Sequence, residues 1–207
     1  MVLPGLASSH ARNDRVRCIN NLRQIGNALR HFALEHQDYP PWRIQAGEDG
    51  NFNHPAKHEL WFQYWWLRDA ISDPRILMDP GETRANARVA ANWDLRPDGL
   101  MSRRNNAVAY ILALDSTTFL PETLLVADRH VSTAGFGGCS SGINTAARLY
   151  TRTDAPETRW LNEVHGPFGN VALTDGSVVG VDTEGLRRAL RRNIDDANET
   201  HVMTTNW

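Results

Sequence analysis

The most regular pattern of apolar positions lies between about residues 9 and 36. Apolar side chains recur there every three or four residues, which places them on one face of a helix. Ser8 or Ser9 can cap the start of this helix, and Pro40-Pro41 prevents its continuation. The sequence therefore predicts an amphipathic helix from about Ser9 to His36, with an apolar stripe formed by Val16, Ile19, Leu22, Ile25, Leu29, Phe32 and His36.

Shorter apolar runs follow in the middle of the chain. The aromatic-rich stretch "HELWFQYWWLRDAI" predicts a second, short helix. The runs "NNAVAYILAL" and "ETLLVADRHV" are rich in apolar and β-branched residues and predict buried strands. The chain from Ser132 to Trp160 is rich in Gly, Ser and Thr and has weak periodicity, with a possible strand or helical turn in "INTAARLY".

The stretch "HGPFGNVALTDGSVVGV" predicts a β-hairpin. Asp175-Gly176 is typical of a two-residue turn in which both residues have positive φ. This turn would place Leu173 opposite Val178 and Ala172 opposite Val179. After the hairpin, "TEGLRRALRRNI" predicts a final helix that begins at a Thr183 cap. The order of elements indicates one α+β domain.

Composition excludes several classes of protein. The chain has 207 residues, 41% hydrophobic and 22% charged, with a net charge of −2, so no broad basic field favours nucleic-acid binding. No run of about 20 apolar residues is present to span a membrane. The two cysteines, Cys18 and Cys139, are too few for a disulfide scaffold or a four-cysteine zinc site. Whether they pair stays open.

Two motifs for catalysis or zinc binding have stronger structural explanations. "GCSSG" matches the pattern of a nucleophile elbow around Ser140, followed by Asp154 and His165, but a flexible loop precedes it where a strand is required. "HFALEH" spaces His31 and His36 by five residues, whereas a helical zinc motif needs four. The sequence predicts no catalytic residue.

Three further groups could bind a ligand. The aromatic patch Trp61–Trp66 could stack on sugars, although Trp61 and Trp65 at i, i+4 favour packing on a core. His165 and Asp175 could form a polar or metal site, or they could simply mark the hairpin. The acidic residues Asp175, Asp182, Asp195 and Asp196 fit no calcium-binding loop.

The N-terminal segment "ARNDRVRCINNLRQIGNALRHFALEHQDYPP" resembles the stretch that follows the membrane anchor in bacterial prepilin-like proteins, the type II secretion pseudopilins and their relatives. A "CxNNLxQIGxAxxxYxxxxxxYPP" pattern is typical there. The matching residues are Cys18, Asn20, Asn21, Leu22, Gln24, Ile25, Gly26, Tyr39, Pro40 and Pro41.

A second resemblance lies in the hairpin segment. His165 is followed by nine residues and then by Asp175-Gly176, which is the H-X9-DG signature of one branch of these proteins. The C-terminal stretch "LRRALRRNIDDANET" is also similar to that branch. Together the resemblances cover roughly residues 2–41 and 106–200.

The resemblance implies a pilin-like α+β fold, with a long N-terminal helix packed on an antiparallel sheet and a short C-terminal helix. Residues 1–36 would form the C-terminal part of a spine helix, and residues 37–207 the globular head of a single domain. It also implies a non-enzymatic subunit outside the cytoplasm, at the inner membrane, with other pseudopilins and secretion-system components as partners and no cofactor. Major pseudopilins can bind calcium, but no ligands for it map onto this chain.

Two departures from the family pattern stand out. Relatives begin with a cleaved prepilin motif and about 20 apolar residues, the length of a membrane-spanning helix, whereas only "VLPGLA" resembles that segment here. We therefore expect an anchor that has been trimmed or lost. The stretch "LMDPGE" stands where relatives often carry Cys-Pro-Ser-Asp, so Cys18 lacks the partner that the family suggests.

The main hypothesis is therefore a pseudopilin-like structural subunit that polymerises through its N-terminal helix. The alternative is an extracytoplasmic carbohydrate- or metal-binding module that uses Trp61–Trp66, or His165 with Asp175. In the first hypothesis, His165 would only hold its loop against the hairpin by a hydrogen bond.

Overall fold

The structure, a computed structural model, describes residues 4–44, 55–56, 59–116, 121–132, 147–151, 158–193 and 199–203. The glycine-rich stretch with Cys139 and Ser140 lies outside the described residues, as do Asp154, Asp195 and Asp196.

A long helix, α1 (Pro4–Glu35), is the first element of the fold. It begins before the predicted start at Ser9, so Ser8 and Ser9 lie within the helix and neither caps it. Its predicted apolar stripe is buried from Leu22 to Phe32, and Leu22, Ile25 and Leu29 lie fully inside the core. The ends of the stripe are not buried, because Val16 is 51% exposed and Ile19 and His36 are half-buried. Within the described part of the chain, no helix is both long enough and apolar enough to cross a membrane.

The described strands are, in chain order, β1 (Tyr110–Ala113), β2 (Leu124–Asp128), β3 (Val131–Ser132), β4 (Ala147–Thr151), β5 (Arg159–Trp160), β6 (Phe168–Leu173), β7 (Val178–Asp182) and β8 (Glu199–Met203). Six of them form an antiparallel main sheet, in the order β4-β8-β1-β2-β6-β7. The short strands β3 and β5 pair separately with each other.

Three short helices complete the described fold. They are α2 (Leu60–Trp65), α3 (Leu100–Arg103) and α4 (Thr183–Arg191), accompanied by 3-10 turns at Pro41–Arg43, Pro74–Leu77 and Arg104–Ala107. The aromatic segment thus forms the short helix that was predicted for it. The N-cap of α4 is Asp182 rather than the predicted Thr183, because the Asp182 side chain accepts a hydrogen bond from the Gly185 N–H at 2.8 Å.

The sheet has a hydrophobic core on each face. Successive strand residues point to opposite faces, so Tyr110 and Leu112 pack in the α1 core while Ile111 and Ala113 pack in the other. Leu186 and Leu190 of α4 cover that second face. The sheet is therefore a middle layer between α1 and α4.

The predicted pilin-like fold is wrong. The structure is a mixed α+β domain in which the last predicted helix is not terminal, because β8 follows α4 and enters the sheet between β4 and β1. The segment Glu199–Met203 is short and lacks apolar alternation, so its strand was not predicted. The predicted pilin-like arrangement placed only the N-terminal helix on the sheet, whereas the structure has a helix packed on each of its two faces.

The register of the predicted hairpin is wrong by one residue. Ala172 pairs with Val178, and Val171 pairs with Val179. The Leu173 N–H donates to the Ser177 carbonyl, which leaves a three-residue loop in which only Gly176 has positive φ, at 89°. This is the three-residue type of hairpin loop, closed by a glycine in the left-handed region.

Candidate functional site

A buried polar cluster lies between α1 and the sheet. It contains Cys18 of α1, Asp79 of the loop after the Pro74–Leu77 turn, Asp128 at the end of β2, and His165 of the loop before β6. One ligand atom from each of the four residues lies within 4.8 Å of the others. We call these four residues the Cys-Asp-Asp-His cluster.

Direct contacts connect all four members. The Cys18 Sγ lies 2.9 Å from Asp128 Oδ1 and donates to it. His165 Nε2 lies 3.0 Å from Asp79 Oδ2 and 3.8 Å from Asp128 Oδ2. The side chains of Asp79 and Asp128 have essentially no exposure to solvent. The imidazole and the thiol are thus close to both buried carboxylates.

Backbone and amide donors hold the two carboxylates in place. Asp128 Oδ2 accepts from the Asn170 N–H at 2.7 Å and from Asn170 Nδ2 at 2.9 Å. The same Asn170 Nδ2 lies 3.4 Å from Cys18 Sγ. Asp79 Oδ1 accepts from the Gly81 N–H at 2.7 Å, which leaves its Oδ2 for His165. Each carboxylate therefore has one oxygen fixed by the surrounding protein.

The electrostatics of the cluster follow from burial. Burial and the charge of Asp79 together raise the pKa of Asp128 to about 6, against the hydrogen bond from Cys18 and the charge of His165, which lower it. Burial and the neighbouring charges of Asp128 and Asp79 raise the pKa of the Cys18 thiol. Burial lowers the pKa of His165, but the hydrogen bond and charge of Asp79 outweigh this, so the net shift is upward. The cluster therefore disfavours the charged forms of Asp128 and Cys18 but favours the charged form of His165.

An ion-pair network adjoins this cluster. Glu82 accepts from Arg129 Nε at 2.5 Å and also from Arg129 Nη2. Arg84 donates to the same carboxylate, from its backbone N–H at 2.8 Å and from its Nε at 3.2 Å. The Arg84 Nη2 also donates to the Val108 carbonyl at 2.8 Å, which ties the loop to the residues just before β1.

The two residues of the H-X9-DG signature lie apart. His165 reaches Asp79 and Asp128, whereas Asp175 is exposed at the hairpin turn. There the Asp175 Oδ1 accepts from the Ser177 N–H at 2.8 Å. Hydrogen bonds from the Ser177 side chain and from its backbone N–H lower the pKa of Asp175. The histidine thus binds its loop to the Asp79 segment and not to the hairpin.

The other signature residues, which lie in α1 and in the segment just after it, divide into buried and exposed positions. Asn21 Nδ2 donates to the Met78 carbonyl at 3.3 Å and to the Tyr110 hydroxyl at 3.2 Å. A Cβ on Gly26 would lie 3.6 Å from the Ala172 Cβ, so α1 approaches the sheet closely there. Pro40 is buried, while the exposed signature residues are Asn20, Gln24 and Tyr39.

The aromatic patch is mostly core. Trp61 is buried, and Trp65 and Trp66 are half-buried against it. The Arg68 guanidinium lies 3.8 Å from the Trp65 ring centroid. An open cavity nearby is lined by Phe32, Glu35, His36, Trp65, Trp66 and Arg68.

Sequence reasoning missed Asp79, Asp128 and Asn170. Asp128 carried a signal, because a carboxylate at the end of the apolar run "LLVA" is expected to be buried and therefore to need partners. Asp79 lies in the "LMDPGE" stretch that departs from the family pattern. That stretch does lie beside Cys18, with a carboxylate in place of the cysteine that the family suggests.

The comparisons with known proteins identify no relative of this chain. No protein-family model, no curated protein and no solved structure matches this chain. The resemblance to prepilin-like proteins therefore stays a prediction from the quoted motifs.

Proposed function

We propose that this protein is a pseudopilin-like structural subunit of a type II secretion or type IV pilus-related assembly, at the extracytoplasmic face of the inner membrane. It assembles with other subunits through α1 and performs no catalysis. Two observations support this proposal. The first is the presence of the family-like motifs in α1 and around His165, and the second is the position of α1 in the fold.

The observation that carries the proposal is the largely exposed N-terminal part of α1. The helix has 32 residues and is ~48 Å long at ~1.5 Å per residue. Residues 10–13, Val16 and Arg17 are exposed, Asp14 and Arg15 are half-buried, and full burial begins at Cys18. The helical segment before Cys18 has roughly 14 residues, and an isolated helix of about that length is marginal in water without packing. A partner helix on this segment supplies the missing contacts.

The contacts of the signature residues agree with a structural role. Cys18 and Asn21 connect α1 to the sheet and to the Asp79 loop, and His165 connects the loop before β6 to the same place. These contacts fix the angle at which α1 leaves the domain. Asn20 and Gln24 lie on the outer side of the helix, where a neighbouring subunit would meet them.

Site-specific crosslinking in the native host tests the proposal. A cysteine is placed at Val16 in the full-length gene product, with Cys139→Ser to remove the second thiol and with Cys18 protected by burial. The matched control is Leu95→Cys, because Leu95 is 71% exposed and lies in the loop before α3. We expect intersubunit crosslinks from Val16→Cys in assembled material, several-fold above those from Leu95→Cys. Equal yields from the two variants, or a protein that stays monomeric beside its secretion system, would contradict assembly through α1.

A second candidate function is glycan binding at the Trp65–Trp66 cavity. The observation that favours it is the half-buried pair of indole rings next to the polar side chains of Glu35 and His36. Titration with oligosaccharides should then change the tryptophan fluorescence in a saturable way, and Trp66→Ala should abolish the change. An unchanged spectrum across a glycan series would leave these rings as core residues.

A further inference from the structure

We propose that the Cys-Asp-Asp-His cluster binds one divalent transition-metal ion, with Zn²⁺ the best match. The ion would be held by the Cys18 thiolate, His165 Nε2 and one oxygen each of Asp79 and Asp128. This site is independent of the proposed assembly function.

The geometry brings four ligand atoms from four separate chain segments to one place. They lie within 4.8 Å of one another. Zinc–ligand bonds are about 2.0–2.3 Å long, so side-chain movements of about 1 Å allow all four atoms to contact a common ion. His165 Nε2 already lies between Asp79 and Asp128, at 3.0 Å and 3.8 Å from their Oδ2 atoms.

The charge of the cluster also favours a cation. The four residues combine two buried carboxylates and a buried thiol with a single imidazole. Two ionised carboxylates that lie close together in a buried site repel each other. A divalent ion would offset this charge, and the thiol proton would leave to solvent as the thiolate binds.

The ligand types select the class of ion. Thiolate and imidazole favour zinc and its neighbours in the first transition row, whereas calcium and magnesium prefer sites made of oxygen atoms alone. A calcium site, as in major pseudopilins, is therefore not the chemistry of this cluster. With four protein ligands from α1, two loops and β2, the ion would serve as a structural crosslink.

Surrounding donors orient the ligands as they do in metal sites. Asn170 holds Asp128 Oδ2 with two hydrogen bonds and places its Nδ2 3.4 Å from Cys18 Sγ. The Gly81 N–H holds Asp79 Oδ1. Such outer contacts fix the direction in which a ligand atom points. An open groove lined by Asn21, Asp79, Glu82 and four arginines adjoins the cluster at Asp79.

Cobalt titration tests the site. The parent protein carries Cys139→Ser, so that Cys18 is its single thiol. Metal-stripped parent protein is titrated with Co²⁺ and followed by absorption. We expect a 1:1 endpoint, a thiolate-to-cobalt charge-transfer band in the near ultraviolet, visible bands of a four-coordinate ion, and displacement by Zn²⁺. Zinc should also raise the melting temperature of the parent protein.

Variants then assign the ligands. Cys18→Ser should abolish the charge-transfer band, and His165→Ala should weaken Co²⁺ binding by at least about 100-fold, while loss of the outer contact in Asn170→Ala should weaken it by about 10- to 100-fold. The matched control is His201→Ala, which removes the histidine of another buried pair, 3.0 Å from Asp115 Oδ2, and should leave Co²⁺ binding unchanged.

The parent protein itself decides the proposal if a variant fails to fold. A parent protein that is folded by circular dichroism but shows no saturable thiolate band overturns the metal site. So does a band that survives Cys18→Ser unchanged. In either case the cluster is a metal-free hydrogen-bond network.

Discussion

Replacing Glu82 with glutamine is expected to destabilise the fold by about 3 kcal/mol at neutral pH. The Glu82 side chain is only 3% exposed, and it lies between the Arg129 guanidinium, which is fully buried, and that of Arg84. Glutamine keeps the size of the side chain but removes its charge. Two buried or nearly buried guanidinium groups then lose their shared counterion. Removing one partner of a buried ion pair is strongly destabilising, because it leaves the other charge buried without compensation.

The magnitude follows from the pKa of Glu82. Burial alone would raise this pKa, but the hydrogen bond from Arg129, the backbone N–H of Arg84 and both positive charges outweigh it. The pKa falls from its ordinary 4.5 to about 2. At ~1.4 kcal/mol per pH unit, that fall corresponds to about 3 kcal/mol, within the range of about 3–5 kcal/mol known for broken buried pairs.

Urea unfolding of both proteins at several pH values measures the effect. Because the folded-state pKa is depressed, the stabilisation by Glu82 is fully present above 4.5 and is lost as the pH falls towards about 2. The difference between the parent protein and Glu82→Gln should therefore shrink over that interval.

The matched control is Glu122→Gln. Glu122 accepts from Arg192 Nη1 at 2.6 Å, but both side chains are more than half exposed, so we expect a loss below about 1 kcal/mol. If Glu82→Gln costs no more than this control at pH 7, the argument from burial is wrong.

Substitutions at three further positions test a helix cap and the packing of the core. Asp182→Ala removes the cap bond to the Gly185 N–H and should cost about 1 kcal/mol in urea unfolding, whereas Asp182→Asn should retain most of it. Gly169→Ala would bring a methyl group to 2.5 Å from the Trp160 ring, so we expect a loss of about 1–3 kcal/mol and a changed tryptophan spectrum. Leu22→Ala opens a cavity beneath α1 and should cost about 2–5 kcal/mol; a loss below about 1 kcal/mol would mean that α1 is not packed as described.

Local patterns predicted α1 and the two central strands well. The stripe from Leu22 to Phe32 has a helical period because that face packs on the sheet. The strands β1 and β2 were visible as apolar runs because both faces of the sheet are covered. These features depend on neighbours in sequence, which is why the sequence shows them.

The register of the hairpin and the last strand of the sheet were predicted less well. Asp-Gly is compatible with a two-residue or a three-residue loop, and choosing the wrong one shifts the register by one residue. β8 was missed because its position depends on pairing with β1 and β4, to which only long-range contacts bring it.

The candidate site could be predicted only in part. Cys18 and His165 were singled out through motifs, but Asp79 and Asp128 are separated from them in sequence by long stretches of chain. No spacing rule connects four such positions. His165 was expected to bind the hairpin, and the fold gives it Asp79 instead because the loop before β6 passes over the Asp79 segment.

The insertion of β8 between β1 and β4 has a consequence for synthesis on the ribosome. The edge of β1 that pairs with β8 has no partner until Glu199–Met203 has been translated. The sheet is therefore incomplete while most of the chain has already been synthesised. An unpaired, fully apolar edge strand such as "YILA" is a template for intermolecular pairing. Nascent chains stalled before residue 199 should therefore depend on chaperones, whereas chains released after residue 203 should not.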